Sequence, residues 1–201
     1  MGERPGHSTT TRRCLFVIAG LVALHLALNH AWLQREHLSD GCDVFGHLER
    51  QLKVHDHLVA LLEAPSRTGL RDLLWSDRIV AAKWPKLTFL ASSVGTALVG
   101  RSPRTTILFT NTLYTALLLV GLFFLGRRLH GPRTALLACA LFALFPCVAG
   151  FGRHYGLDYP LAAMVTVTLA TLAATEAFCR RGRVIALALV CVLTVMTKLQ
   201  G

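Results

Sequence analysis

The sequence predicts an all-α fold: a polytopic membrane protein with about five transmembrane helices and additional interfacial helices. Hydrophobic residues make up 53% of the 201 residues and charged residues only 16%, and the mean hydropathy is +0.51, which is too apolar for a soluble domain of this length. The arginines and lysines give a net charge of +10 and stand in short clusters between apolar runs, as the positive-inside rule predicts. No long basic face with interleaved aromatic residues is present, so nucleic-acid binding is not predicted.

The first apolar run extends from Cys14 to Leu33 and follows the pair Arg12-Arg13. About 20 apolar residues suffice to cross the hydrocarbon core as a helix. A cleavable signal peptide is the alternative, but the run is longer than a usual signal-peptide core and lacks a small-x-small cleavage site. We therefore expect an uncleaved first transmembrane helix over residues 14–33, preceded by a cytoplasmic tail of residues 1–13.

Residues 34–104 are predicted to form a non-cytoplasmic loop that contains interfacial helices. The segment from Gln34 to Trp84 is polar, and its apolar residues recur at helical spacing, which predicts two or three short amphipathic helices. The positions that carry this spacing are Leu48, Leu52, His55, Val59 and Leu62. The stretch from Pro65 to Gly69 predicts a break between two helices. The next apolar run, from Leu87 to Val99, has only 13 residues and is short for a span.

Residues 105–201 are predicted to hold four further transmembrane helices. Their approximate limits are Thr105–Leu125, Thr134–Phe151, Tyr159–Phe178 and Val184–Met196. If the run from Leu87 to Val99 does not cross, every arginine cluster falls on the side of the N-terminus, as the positive-inside rule requires. We therefore predict an interfacial or re-entrant helix there, five spans and a cytoplasmic N-terminus. Because the last run ends at Lys198 to Gly201 without a polar tail, we expect the N-terminal part of a longer protein.

This topology brings two acidic loops to the same non-cytoplasmic face. Asp40 and Asp43 lie in a predicted polar turn from Leu38 to His47, where a carboxylate can act as a general base or a metal ligand. Turn formation is the alternative role of such residues. Asp158 ends the other loop, Gly152 to Asp158, and could equally cap the helix that follows.

Three cations on this face could bind a phosphate group. Lys83 and Lys86 flank Trp84-Pro85, and Arg153 lies in the loop before Asp158. These residues could clamp a lipid phosphate, although ordinary contact of lysines with lipid headgroups explains them as well. His55 and His57 do not predict a metal site, because residues two apart on a helix point to different faces.

Several motifs in this order resemble one family of membrane enzymes. They are Asp43-x-x-x-His47, Lys83-Trp84-Pro85-Lys86-Leu87, Gly126-Arg127-Arg128-Leu129-His130-Gly131, Phe145-Pro146, and Arg153 with Asp158. The pattern resembles the polytopic glycosyltransferases of the protein mannosyltransferase and aminoarabinose-transferase type, which use lipid-phosphate-linked sugars. The resemblance runs from Cys14 to Gly201 and corresponds to the N-terminal half of a family member. The chain departs from the family at Val44 and at Trp84-Pro85-Lys86, so Asp40 remains a candidate beside Asp43, and Lys83 beside Lys86.

The resemblance implies transfer of a sugar from a polyprenyl-phosphate donor to a lipid, glycan or protein acceptor. The reaction would take place at the periplasmic or luminal face, and a bacterial plasma membrane is the expected location. Asp43 would act on the acceptor, orient it or bind a divalent metal, and Asp158 would be the second acid; no other cofactor is predicted. Lys83 or Lys86 would bind the donor phosphate, and His47 would occupy the family's Tyr or His position.

A non-catalytic membrane module, such as a transporter piece or an assembly subunit, is the alternative function. The predicted spans carry few polar residues beyond Asn111, Tyr114 and scattered threonines. A transporter is expected to hold more polar residues in mid-span. The sequence therefore favours the enzyme.

Overall fold

The computed structural model describes residues 6–35, 42–75 and 86–198, and these residues form helices and no strands. The predicted all-α fold is therefore confirmed. The helices are α1 Gly6–Arg35, α2 Cys42–Glu63, α3 Arg67–Trp75, α4 Lys86–Val99, α5 Pro103–His130, α6 Pro132–Leu144, α7 Pro146–Phe151, α8 Asp158–Ala174 and α9 Arg181–Val195.

Helix α5 is the centre of the bundle and packs against α1, α4, α6 and α8. It approaches α8 closely at Gly121, where an added Cβ would lie 3.1 Å from the backbone nitrogen of Val167. Helix α1 turns one face toward the bundle, and this face is Cys14, Ile18, His25, Asn29 and Leu33. The spacing of three to four residues on one helix face explains this stripe.

The polarity of the molecule is reversed relative to a soluble protein. Large apolar residues point outward, for example Phe16 on α1, which is 65% exposed, and Leu189 on α9, which is 61% exposed. Threonines, serines, His25 and Asn29 are buried instead. Lipid tails can cover apolar side chains but cannot satisfy polar groups. The arrangement is therefore that of a membrane protein.

Among the described residues, two helices are long and apolar enough to cross a bilayer, Thr11–Arg35 and Pro103–His130. The other predicted spans correspond to helices of 13 residues in α6, 17 in α8 and 15 in α9, which are shorter than a usual span. The predicted number of five spans therefore stays a prediction.

The predicted span from Thr134 to Phe151 is divided into α6 and α7 at Pro146. Proline has no N–H and interrupts the helical hydrogen-bond ladder. His25 of α1 compensates at this break, since its Nε2 donates to the carbonyl oxygen of Ala143 at 2.5 Å. A polar side chain from a neighbouring helix thus satisfies a backbone group that lipid could not.

The arginine clusters lie together at one end of the bundle. Arg127, at the end of α5, donates to the hydroxyl of Thr11 near the start of α1 at 2.8 Å. Arg128 lies 3.8 Å from Glu176 in the α8–α9 connection. We call this end, formed by Thr11, Arg127, Arg128, Glu176 and Arg183, the arginine end. The predicted clustering of arginines on one side agrees with these contacts.

The segment before α4 forms helices α2 and α3, and the predicted break between them at Pro65 is confirmed. The predicted turn from Leu38 to His47 is wrong from Cys42 onward, because α2 begins there. Of the residues at the predicted helical spacing, Leu48 and His55 are buried, whereas Val59 and Leu62 are exposed. The buried face also includes Gln51, which donates to the hydroxyl of Thr96 on α4.

Candidate functional site

A ladder of hydroxyl groups joins α4 to α5. Thr96 and Thr106 share a hydrogen bond of 3.1 Å, and Thr110 donates to Ser92 at 2.9 Å. The partners recur every four residues on both helices, so they lie on facing stripes. Gln51 of α2 adds to the ladder by donating to the hydroxyl of Thr96 at 2.9 Å. This ladder fixes α4 beside the beginning of α5.

The loop between α7 and α8 is held against the same ladder. Asn111 of α5 is buried, and its Nδ2 donates to the carbonyls of Gly152 and His154, both at 2.9 Å. Tyr155 is 1% exposed and donates its hydroxyl to Ser92 at 2.7 Å. Burial raises the pKa of Tyr155, so the hydroxyl stays protonated as a donor. The loop that leads to Asp158 is thus rigidly placed.

Arg153, one of the predicted phosphate ligands, binds α1. Its Nε donates to Oδ1 of Asn29 at 3.3 Å, and its guanidinium lies 5.0 Å from the centre of the Trp32 ring. These contacts tie the α7–α8 loop to the end of α1. The side chains of Arg153 and Asp158 therefore have different partners.

Asp158 begins α8 and forms an ion pair with Lys198, just after α9. The Asp158 side chain is 72% exposed, whereas that of Lys198 is 27% exposed. Lys198 was not predicted as a site residue. Only the packing of α9 against α8 brings it to Asp158, which lies 40 positions earlier in the chain. An accessible carboxylate beside a cation is suited to bind a polar ligand.

The beginning of α4 contacts the end of α9 close to this ion pair. The N–H of Leu87 donates to the carbonyl of Met196 at 3.1 Å, and the Thr88 hydroxyl donates to the carbonyl of Thr197 at 3.4 Å. Lys86 precedes Leu87 in the first turn of α4. The backbone of this predicted phosphate ligand is therefore beside the segment that carries Lys198.

The beginning of α2 packs against α4 through His47. His47 is buried, its ring centre lies 6.0 Å from that of Phe89, and its Nδ1 lies 3.5 Å from Nη1 of Arg50. Asp43 lies one helical turn before His47, and Lys86 one turn before Phe89. The starts of α4 and α8 thus lie near the end of α9, and the start of α2 packs against α4. We call this region, defined by the helical positions of Asp43 and Lys86 with Asp158 and Lys198, the site end.

Two predicted site residues, Asp40 and Lys83, lie outside the described residues. Asp43 and Lys86 are described by their helical positions alone. Within the described ranges, no three His, Cys, Asp or Glu residues are grouped so that they could hold a metal ion. His55 and His57 bind different carbonyls, those of Ser93 and Gly69, as their spacing on a helix predicts.

Comparison with known families gives a match over much of the chain. Residues 74–200, more than half of the chain, match the model of the dolichyl-phosphate-mannose-protein mannosyltransferase family. Neither the search of curated proteins nor that of solved structures found a match. The matched region contains Lys86, Arg153, Asp158 and Lys198, and Asp43 precedes it.

Proposed function

The chain belongs to the dolichyl-phosphate-mannose-protein mannosyltransferase family, and we propose that its site end transfers a sugar from a polyprenyl-phosphate donor to an acceptor. The ion pair of Asp158 with Lys198 carries this proposal. It brings a carboxylate and an ammonium group together near the start of α4, which holds Lys86. Sugar transfer from a phosphate carrier needs both kinds of group.

In the proposed reaction, the bond between the sugar C1 and the donor phosphate oxygen breaks. A new bond forms between C1 and the acceptor oxygen, and the proton of the acceptor hydroxyl passes to a carboxylate. Asp43 is our candidate for that base and Asp158 for a second acid that orients the substrate, with Asp40 as the alternative base. The polyprenyl phosphate leaves as an anion, which needs positive charge nearby.

Lys86 and Lys198 are our candidates for binding the leaving phosphate. Lys198 is paired with the exposed carboxylate of Asp158, so an incoming phosphate can compete for its ammonium group in a solvent-accessible position. Lys83 is retained as an alternative to Lys86. Arg153 is retained as a further candidate, and its contacts with Asn29 and Trp32 would hold its guanidinium in position.

The distribution of charge supports a non-cytoplasmic site. The arginine end contains Arg127, Arg128 and Arg183. Helix α1 runs from that end toward the site end, and α5 runs back from the site end to the arginine end. The positive-inside rule assigns the arginine end to the cytoplasm. The site end then faces the periplasm or an equivalent compartment, and a bacterial plasma membrane is the proposed location.

The test is sugar transfer from a polyprenyl-phosphate donor by membranes that contain the intact protein. Asp43→Asn and Asp158→Asn should each lower transfer by about a hundredfold or more, the usual range for loss of a group in acid–base catalysis. Asp56→Asn is the matched control, since Asp56 is also on α2 but pairs with Arg101, and it should retain transfer.

Normal transfer by both site variants would contradict the proposal. Activity lost equally in Asp56→Asn would also contradict it, because the effect would not depend on the site end. Membrane insertion of all three variants is checked by cysteine labelling, which separates lost chemistry from lost folding.

A further inference from the structure

A cavity of about 610 Å³ lies between α5 and α8 at the arginine end, away from the site end. Most of its lining is apolar, and three arginines stand at one end of it. The apolar lining includes Leu117, Phe124, Ala170 and Ala174, and the arginines are Arg127, Arg128 and Arg183.

The arginines of this cavity exceed the acidic charge available to them. Glu176 binds Arg183 at 2.7 Å and Arg180 at 3.0 Å, but it lies 3.8 Å from Arg128. Arg127 donates to the neutral hydroxyl of Thr11 and has no carboxylate within ion-pair distance among the described residues. The mouth of the cavity therefore carries a net positive charge.

The apolar part of the cavity is long enough for a segment of a hydrocarbon chain. Its α5 side runs from Leu117 to Phe124, roughly 10 Å at the rise of an α-helix. The small side chains of Ala170 and Ala174 leave the space open on the α8 side. Phe124 is 42% exposed along the groove, so its ring is available to contact a bound chain.

We propose that this cavity binds one anionic phospholipid, with its phosphate on Arg127 and Arg128 and an acyl chain between α5 and α8. A free phosphate group would use the arginines and leave the apolar groove empty. A zwitterionic lipid would bring a cationic headgroup next to three guanidinium groups, which is unfavourable. An anionic lipid places its phosphate on the arginines and its acyl chain in the apolar groove. This inference does not depend on the proposed reaction.

The test measures lipid binding to the intact protein, purified in an uncharged detergent, by native mass spectrometry. With phosphatidylglycerol we expect one retained lipid per chain, bound about tenfold more tightly than phosphatidylcholine. The double substitution Arg127→Gln with Arg128→Gln should weaken phosphatidylglycerol binding about tenfold or more, because two charge-assisted contacts are lost. The control, Arg12→Gln with Arg133→Gln, removes the same charge outside the cavity lining and should bind like the wild type.

A second pair of variants tests the groove without changing charge. Ala170→Leu fills the cavity, whereas Ala162→Leu changes an exposed position on α8 outside the lining. Ala170→Leu should weaken phosphatidylglycerol binding severalfold, and Ala162→Leu should not. Circular dichroism and the thermal midpoint establish that each variant is folded.

Three results would overturn the proposal. The first is equal affinity for phosphatidylglycerol and phosphatidylcholine. The second is equal binding by the cavity variants and their matched controls. The third is binding of glycerol 3-phosphate as tight as that of phosphatidylglycerol, which would make the site one for a free phosphate group.

Discussion

The site end and the arginine end of the bundle hold their polar groups in opposite ways. At the site end, Ser92 and Thr110 are 0% and 1% exposed and bind each other and Tyr155. At the arginine end, the side chains of Arg180 and Glu176 are 60% and 38% exposed. Buried hydrogen bonds fix geometry, whereas exposed ion pairs contribute little to stability. We therefore expect the buried hydrogen bonds of the site end to fix the positions of the residues there. The exposed charges of the arginine end should contribute mainly to contacts with the surroundings of the protein.

The largest effect on stability is expected from Asn111→Ala at the site end. The substitution removes two donors and leaves the carbonyls of Gly152 and His154 without their partner, which should lower the free energy of unfolding by about 2–4 kcal/mol. Unfolding with sodium dodecyl sulfate in mixed micelles measures this change. Arg180→Gln at the arginine end should cost less than about 1 kcal/mol, and equal losses in both variants would refute the comparison.

A smaller loss is expected from Tyr155→Phe, which removes one hydrogen bond and keeps the ring. Ser92 retains its bonds to Thr110 and to the carbonyl of Thr88, so the expected loss is about 1 kcal/mol. Hydrogen exchange of residues 152–157 should become faster, because this hydroxyl holds the loop to α4. Unchanged exchange in that loop would show that Asn111 alone fixes it.

A gain in stability is expected from Ala177→Gly at the arginine end. Ala177 has a φ of 58°, a left-handed conformation that costs residues with a Cβ roughly 1 kcal/mol. Glycine avoids this cost, so the free energy of unfolding should increase by about 0.5–1 kcal/mol and the thermal midpoint should rise. Ala173→Gly, inside α8, should instead lose about 1 kcal/mol. A loss of stability in both variants would contradict the left-handed conformation of Ala177.

The smallest effect is expected from titration of Glu176. Hydrogen bonds from Arg183 and Arg180 lower the pKa of this carboxyl below 4.5. A group with a lowered pKa stabilises the fold above its unfolded pKa, and this contribution is lost as the pH falls through the folded pKa. The thermal midpoint of the wild type should therefore fall more between pH 6 and pH 3 than that of Glu176→Gln. An equal fall of the thermal midpoint in both proteins would exclude a role for this ion-pair network in the acid sensitivity of the fold.

Much of the fold could be predicted from local patterns. The presence of α1 and α5 follows from two apolar runs, although α1 begins at Gly6 rather than Cys14 and α5 extends to His130. Pro65 separates α2 from α3 as expected. The break at Pro146 was missed because the surrounding residues are apolar enough for one uninterrupted span. Its partner, His25, lies 118 positions earlier in the chain, and no local pattern connects the two.

In the candidate site, too, candidate residues could be found in the sequence, whereas their distant partners could not. Asp158 was predicted as a site residue, and its contact with Lys198 was not, because the pairing depends on how α8 and α9 pack. Arg153 was predicted as a site residue, and its contacts with Asn29 and Trp32 of α1 were not predicted. The four-residue spacing of Thr88, Ser92 and Thr96 was visible in the sequence and could have indicated a polar helix face.

Local chemistry along the chain was enough to establish the helical membrane class and the shared side of the arginine clusters. Hydropathy and charge act through the neighbouring lipid and water, so they can be judged from each segment alone. The environment of each polar side chain depended on partners far away in the chain. Only the packed helices decided that Asp158 meets Lys198, that Asn111 holds the α7–α8 loop, and that Arg127 borders an apolar cavity.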